Sequence, residues 1–316
     1  LPEPCCSIMA MSGPVWALMA DGSYAEGRND GGEEGGKIGV VLGDGSRKLL
    51  PAADVLPVNP GPAVPDLTTM VVLNEATILN NVRERYLKNR IYTRAANMLV
   101  AVNPGHLIPE LYTDATRTHT KGADLRDPRL EPHLYDVAEQ AYRQLEAKGK
   151  PQSIVISGES GAGKTESIKY TMNYLVWRSS ENSKAAGAGA AGEQLTTRIM
   201  QSNPLLEALG NAKTQRNHNS SRFGKYITLQ FDGARAIVGA QIHTFLLEKS
   251  RVTNTDAEKE RSYHVFYQLV AGHPLMAGKS CQDFRTLSLS GTTTVPGVND
   301  AAQFKNLQVA LGWFGI

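Results

Sequence analysis

Eight consecutive residues, Gly158-Glu159-Ser160-Gly161-Ala162-Gly163-Lys164-Thr165, follow the order G-x-x-x-x-G-K-[ST]. That order suits the holding of phosphate. The glycines let the backbone bend around an anion with its N–H groups aimed at the oxygens, and Lys164 reaches the terminal phosphates. Thr165 brings a hydroxyl oxygen, a hard ligand for Mg²⁺. A helix starting at this point adds the positive end of its dipole to the same charge. Phosphate chemistry also needs a second polar element, to hold the metal from another side and to position the attacking group. Asn217-His218-Asn219-Ser220-Ser221-Arg222-Phe223-Gly224-Lys225 packs amides, hydroxyls and a guanidinium into nine positions and is the candidate.

The surrounding sequence supplies elements that could position both segments. Ile154-Val155-Ile156 reads as a buried strand entering the loop, and residues 165–177 as the helix leaving it, with Ile168, Met172, Leu175 and Val176 inward. Asn74 is an N-cap candidate before a helix whose Ile78, Val82 and Tyr86 share a face. Residues 96–102 form an apolar run cut off by Asn103-Pro104, expected to be a buried strand. Pro132 suits the first turn of a helix carrying Leu134, Val137, Ala138, Ala141, Tyr142 and Leu145, with Gly149 as its stop. Residues 226–231 and 237–246 flank Asp232-Gly233 as a hairpin, and residues 258–271 are expected as a helix ended by Gly272. Residues 179–192 are rich in Ser, Ala and Gly and read as a flexible surface loop, and residues 288–298 as loop. Upstream, short apolar stretches at 15–18, 37–42 and 47–50 alternate with turns at 29–36 and 43–45, the pattern of a small β module. Four prolines in residues 57–65 mark a boundary after it. Strand–helix alternation with a late hairpin makes the larger part an α/β domain with a mixed sheet.

Composition excludes several classes. Lys and Arg number 33 against 31 Asp and Glu, a net charge of +2, too balanced to imply a nucleic-acid or membrane-surface protein by bulk charge alone. No apolar run approaches a membrane span. Cys5, Cys6 and Cys281 lack metal-site spacing and suit a reducing compartment, and the seven histidines are scattered without ligand spacing. Lys121, Arg126 and Arg129 read as a solvated basic loop. Ser160 falls in a G-x-S-x-G-like pattern whose last position is Ala162, but the phosphate-loop reading takes every residue. Glu248 and Glu260 read as structural carboxylates at element ends.

Taken together, these segments resemble a myosin motor domain. The loop and its continuation Glu166-Ser167 are close to the family's GESGAGKTE form. Asn203-Pro204-Leu205-Leu206-Glu207-Ala208-Leu209-Gly210-Asn211-Ala212-Lys213-Thr214, continuing to Lys225, is similar to its switch I region. Leu246-Leu247-Glu248-Lys249-Ser250-Arg251-Val252 and Arg261-Ser262-Tyr263-His264-Val265-Phe266-Tyr267-Gln268-Leu269 also match, and residues 103–113 resemble its purine-binding loop. The resemblance implies a P-loop NTPase mixed sheet flanked by helices over residues 65–316, preceded by an SH3-like β-barrel over 12–60. It implies Mg²⁺ and ATP as cofactors and actin filaments as partner, with light chains in the full-length protein, no nucleic acid and no membrane span. The setting it implies is the cytoplasm and the actin cytoskeleton. Carried over residue by residue, Asn103 and Tyr112 contact the adenine side, and residues Gly158, Glu159, Ser160, Gly161, Ala162, Gly163, Lys164 and Thr165 cradle the phosphates. Asn217 contacts the phosphates, Thr165 and Ser221 ligate Mg²⁺, Ser220 orders the attacking water or relays its proton, and Arg222 pairs with a glutamate of switch II.

That switch reads D-x-x-G-F-E in the family, and no D-x-x-G occurs in this sequence. The family places it, the relay helix, most of the actin-binding surface and the converter beyond the position of Ile316. Arg222 is therefore expected to lack a partner. The chain alone is expected to be poorly soluble and to bind Mg·ATP weakly without turnover. The alternatives are a truncated product that binds nucleotide without hydrolysis or motility, and a non-motor P-loop kinase or GTPase. The second polar segment and the absence of N-K-x-D argue against the last.

Overall fold

A computed structural model describes residues 13–125, 127, 129–185, 189–253, 258–289 and 291–316. Cys5, Cys6, Arg126 and the centre of the Ala/Gly run lie outside them. The chain forms two compact units, one reaching to Leu111 and including Gly122–His133, the other holding Tyr112–Lys121 and Leu134–Ile316.

The first unit opens with β1 (Pro14–Leu18), β2 (Tyr24–Glu34), β3 (Lys37–Leu42), β4 (Arg47–Pro51) and β5 (Val55–Pro57). They make one antiparallel sheet in the order β4-β3-β2-β1-β5. Val15, Ala17, Ile38, Val40, Leu42 and Val55 form its core. Two turns are set by aspartates: the Asp21 carboxylate accepts from the backbone and hydroxyl of Ser23, and that of Asp44 does the same for Ser46. Of residues 29–36, expected as a turn, 29–34 continue β2 instead, and the turn is confined to Gly35-Gly36. The register shifts between Asn29 and Glu33, so an irregularity absorbs the glycines without ending the strand.

Helix α1 (Glu75–Tyr86) follows, and Asn74 caps it as expected, with Thr77 returning the bond in a reciprocal box. The buried face is not the expected apolar one. Ala76, Thr77, Asn81 and Arg85 are buried, while Tyr86 is exposed. Polar partners explain the exchange. Arg85 donates to the carbonyl of Tyr92 at 2.7 Å and the Thr93 hydroxyl at 3.0 Å, and it pairs with Glu131. The apolar run at 96–102 is not one buried strand: β6 (Tyr92–Ala95) and β7 (Met98–Ala101) form a hairpin, turned at Ala96 with φ of 55°. Met98 is exposed there.

The second unit contains α2 (Asp114–Gly122), α3 (Leu134–Lys148), α4 (Lys164–Ala185) and α5 (Gly189–Gly210). After them come the strand pair β8 (Asn211–Ala212) and β9 (Ser220–Ser221), and the hairpin β10 (Gly224–Phe231) and β11 (Ile237–Phe245). Helices α6 (His264–Gly272), α7 (Arg285–Ser288) and α8 (Asp300–Phe314) complete it. Tyr135, Ala138 and Tyr174 lock α3 to α4, and Ala208, Phe304 and Leu307 lock α5 to α8. Gly149 stops α3 as expected, one residue past Lys148 at φ of 63°. The hairpin also stands as expected, with Ile227 opposite Ile242 and Asp232 accepting from Ala236 at the turn.

Three expectations fail in this unit. Residues 152–157 pair with no strand among the described residues, and Val155 is 87% exposed. Three apolar β-branched residues favour an extended backbone, but a buried strand also needs neighbours on its edges. The expected loop at 179–192 is helical wherever it is described, because alanine offsets the glycines in helix propensity. The helix expected from residue 258 begins only at His264. Glu260 and Arg261 are instead held in ion pairs.

Candidate functional site

The loop from Gly158 to Gly163 bends through a turn in which Ala162 N–H donates to the Glu159 carbonyl at 3.1 Å. Gly161 and Gly163 take φ of 88° and 95°, a region closed to most side chains, so the sequence needs glycine at both. Helix α4 starts at once, and Ser167 N–H bonds back to Gly163. Lys164 folds over the loop. Its ammonium donates to the carbonyls of Gly158 at 2.7 Å and Glu159 at 2.8 Å, which keeps the charge at the mouth of the turn.

The second segment is delivered by a different device. Strands β8 and β9 pair, Asn211 with Ser221 and Ala212 with Ser220. The connection between them is closed by Asn217, whose backbone and side chain bond Thr214 and Asn219. Behind it the Asn219 carboxamide gathers Asn211, Glu207 and His264. Glu207 in turn pairs with Lys169 of α4 at 2.8 Å. Burial disfavours the charge on Lys169, but the carboxylates of Glu207 and Glu166 outweigh it and raise its pKa. Burial moves His264 the other way, helped by Arg261, down to about 4. Lys225 is also pushed down by burial and donates to Asn203.

These devices bring two pairs of hydroxyls together from segments 60 and 56 residues apart. Ser160 Oγ lies 3.0 Å from Ser220 Oγ, and Thr165 Oγ1 lies 3.4 Å from Ser221 Oγ. Ser220 is 2% exposed, whereas Ser221 is open to solvent. Arg222 donates from Nη1 to Ser220 Oγ at 3.2 Å.

Arg222 does not lack a partner. Its Nε meets Glu248 Oε2 at 2.5 Å, and the backbone N–H of Glu248 donates to the Arg222 carbonyl at 3.0 Å. Glu248 also accepts from buried Arg251 at 2.7 Å, and Arg251 reaches Glu260 at 3.0 Å. Burial would raise the Glu248 carboxyl, but hydrogen bonds from Arg251 and Arg222 outweigh it and hold it below the usual carboxylate value. Beyond lies Arg261, fully buried, bound by two nitrogens to both oxygens of Asp300 and 3.7 Å over the Tyr267 ring. Glu248, expected as a structural carboxylate at an element end, is thus the acid of this pair. The signal that could have found it is the pair of arginines that need an acid, Arg222 and Arg251.

The expected adenine residues fall in different units. Asn103 belongs to the first, where its side chain accepts from Gly105 N–H at 2.9 Å. Tyr112 belongs to the second, stacked on Tyr170 of α4. Among the described residues no group of three or more His, Cys, Asp or Glu could hold a metal ion, and no helix is long and apolar enough to cross a membrane.

A family model described as the myosin head (motor domain) matches residues 64–316. Myosin-13 of Arabidopsis thaliana is 38% identical over 322 residues, covering 98% of this chain and 21% of its own length. Unconventional myosin-Vb of Homo sapiens is 42% identical over 257 residues, covering 79% of this chain and 13% of its own. Myosin-2 of Saccharomyces cerevisiae is 41% identical over 260 residues, covering 80% and 16%. The chain thus spans about one fifth, or less, of the length of these relatives. Residues 158–165 and 217–225 both lie inside the matched region, and the chain belongs to the myosin family, as part of the motor-domain head.

Proposed function

We propose that this chain is the nucleotide-holding part of an actin-based motor that binds Mg·ATP and hydrolyses it to ADP and phosphate. The observation that carries the reading is the double meeting of hydroxyls, Ser160 with Ser220 and Thr165 with Ser221, across two polar segments distant in sequence. The donor set fits the implied groups. Thr165 and Ser221 offer two neighbouring hard oxygens of the kind Mg²⁺ accepts. Lys164 rests on two backbone carbonyls, weaker partners than phosphate oxygens.

When bound, Mg²⁺ would neutralise phosphate charge and fix the phosphate oxygens. Lys164 would leave its carbonyls for the β- and γ-phosphates, with Gly158, Glu159, Ser160, Gly161, Ala162 and Gly163 around them. Asn217 would hold phosphate oxygens from the opposite side. Ser220 stands between Ser160 and Arg222, so its Oγ is the atom to hold or pass on the proton of the attacking water. Arg222, fixed by Glu248, would orient Ser220 and add positive charge near the transferred group. Tyr112 would contact the adenine side. Residues 65–316 would form a P-loop NTPase mixed sheet with its helices, preceded by an SH3-like barrel over 12–60. The partner would be actin filaments in the cytoplasmic actin cytoskeleton, with light chains on the whole motor.

The test is titration calorimetry of the native chain and Lys164→Ala with Mg·ATP and Mg·GTP, followed by phosphate release with and without actin. The expected result is Mg-dependent binding that prefers ATP and is lost in Lys164→Ala. Equal competition by GTP would turn the reading to a GTPase. Tight ATP binding without phosphate release, in a protein carrying the whole head, would turn it to a nucleotide-binding product without motility.

A further inference from the structure

The second polar segment rides on one face of α5. Asn203 and Glu207 stand four residues apart on that helix and so share a face. Asn203 Oδ1 accepts from Lys225 Nζ at 3.3 Å, at the end of the segment, and Glu207 Oε2 accepts from Asn219 Nδ2 at 3.2 Å, near its start. Asn219 is the hub of that start. Its Oδ1 accepts from Asn211 Nδ2 at 2.9 Å, its backbone N–H donates to Asn217 Oδ1 at 3.0 Å, and the chain passes directly from it into Ser220 and Ser221. Asn211 is buried and pairs with Ser221 across β8 and β9, so the place of Asn219 sets where both serines stand.

The other oxygen of Glu207 faces the helix that leaves the phosphate loop. Glu207 Oε1 meets Lys169 Nζ at 2.8 Å, and Lys169 lies five residues after Lys164 in α4, about 7.5 Å along the axis at the usual rise per residue. One carboxylate thus holds Asn219 with one oxygen and α4 with the other. The two side chains are 27% and 24% exposed, so water screens the pair less than it would a surface bridge. The same carboxylate acts on the far end of the segment, where it counters part of the burial that pushes Lys225 down.

We infer that Glu207 is a positioning residue: through Lys169 and Asn219 it fixes Ser220 and Ser221 against the phosphate loop, and so sets how well Thr165 and Ser221 can hold one Mg²⁺ between them. The inference rests on the nucleotide reading above, in which Glu207 touches neither phosphate nor metal. Its action is that of an outer partner that orients a metal ligand, and loss of such partners weakens metal binding about 10- to 100-fold. Glu207 works one residue further out, through Asn219, which places its effect at or below the lower end of that range.

The experiment uses Glu207→Gln and Lys169→Met, which break one ion pair by removing opposite charges, and the variant carrying both. Two quantities are measured on these and on the native chain: hydrogen exchange of the 217–221 amides without ligand, and the Mg²⁺ concentration for half-maximal ATP binding by calorimetry. The expected result is faster exchange in that segment and about 3- to 10-fold more Mg²⁺ in each single variant, with the double variant no worse than the worse single one. The sign for Lys169→Met is decisive. By charge alone, loss of a nearby cation eases Mg²⁺ binding, whereas loss of the tie makes it harder. If the single variants move the Mg²⁺ curve in opposite directions, the two residues act by charge and the inference falls. If denaturant unfolding shifts while exchange at 217–221 and the Mg²⁺ curve stay native, the pair only holds α4 to α5 and the inference falls as well. If the native chain shows no Mg-dependent ATP binding, the nucleotide reading fails and takes the inference with it, and faster exchange then marks a structural tie alone.

Discussion

The two sides of the candidate site are built on opposite principles. Its front consists of groups held by single, replaceable contacts: Lys164 on two carbonyls, and hydroxyls facing hydroxyls at 3.0 and 3.4 Å. Its back is a chain of ions held several times over, from Arg222 through Glu248 and Arg251 to Glu260, with Arg261 on Asp300 beside it. A ligand can displace the front at little cost, because each contact it breaks it can replace. Nothing can displace the back without leaving a buried charge unpaired. The difference teaches where stability and binding are stored, and it separates substitutions that unfold the unit from those that only empty the site.

The back should show the largest effect. Arg261→Ala removes a fully buried guanidinium that binds Asp300 twice and covers Tyr267, leaving Asp300 alone. Loss of one partner of a buried pair costs about 3–5 kcal/mol, enough to unfold a marginal unit. Denaturant unfolding of the variant should show it, and a cost below about 1 kcal/mol would break the contrast at its strongest point.

Glu248→Gln is the next test. An amide keeps the shape but cannot pair ionically with both Arg222 and Arg251. The Glu248 side chain is 30% exposed, so screening trims the cost to about 1–2 kcal/mol. The sign of its pH dependence is fixed. A carboxyl held below its unfolded value contributes fully above that value, and the contribution disappears as pH falls through the lower folded value. Native protein should therefore lose an acid-sensitive increment that Glu248→Gln does not have. Equal acid limbs for the two would mean that Glu248 is not charged in its place.

His264 offers a smaller handle on the same region. It meets Asn219 at 3.1 Å, and its pKa falls from 6.5 to about 4, through burial first and Arg261 second, with Asp300 and Glu207 opposing. The unfolded chain takes up this proton below pH 6.5 and the folded chain only near 4, so stability should fall with pH between them. The ring is partly exposed, which limits the effect to on the order of 1 kcal/mol. His264→Gln should flatten that part of the stability curve; an unchanged slope would assign it to other groups.

The same contrast explains what was legible in the sequence. The front is local: G-x-x-x-x-G-K-T fixes a turn, a charge and a helix start within eight residues, and the structure forms that turn and starts α4 at Lys164. The hairpin at Asp232 and the cap at Asn74 are local in the same way. The back is non-local. Glu248 becomes the partner of Arg222 only because the loop after β11 returns beside β9, and no spacing rule encodes that return. Arg85 and Thr77 occupy the buried face of α1 because Tyr92, Thr93 and Glu131 meet Arg85, contacts that apolar periodicity does not register. Residues 152–157 fail in the other direction, since their composition reports a preference for extended backbone and cannot report whether a neighbouring strand is present.

The front should respond least in stability and most selectively in binding. Ser221 is exposed and shares one 3.4 Å contact with Thr165, so Ser221→Ala should shift unfolding by no more than about 0.5 kcal/mol. If its hydroxyl is a hard ligand for Mg²⁺, the variant should need more Mg²⁺ to reach half-maximal ATP binding, while metal-free ATP binding stays near native. Ser220→Ala is the matched control. It removes a buried hydroxyl that bonds Ser160 and Arg222 and should leave the Mg²⁺ requirement alone. Two calorimetric titrations over Mg²⁺ concentration therefore separate neighbouring serines by role. Equal Mg²⁺ curves for the two variants would show that the hydroxyls act as one polar patch, and the division of the front into a metal side and a water side would be lost.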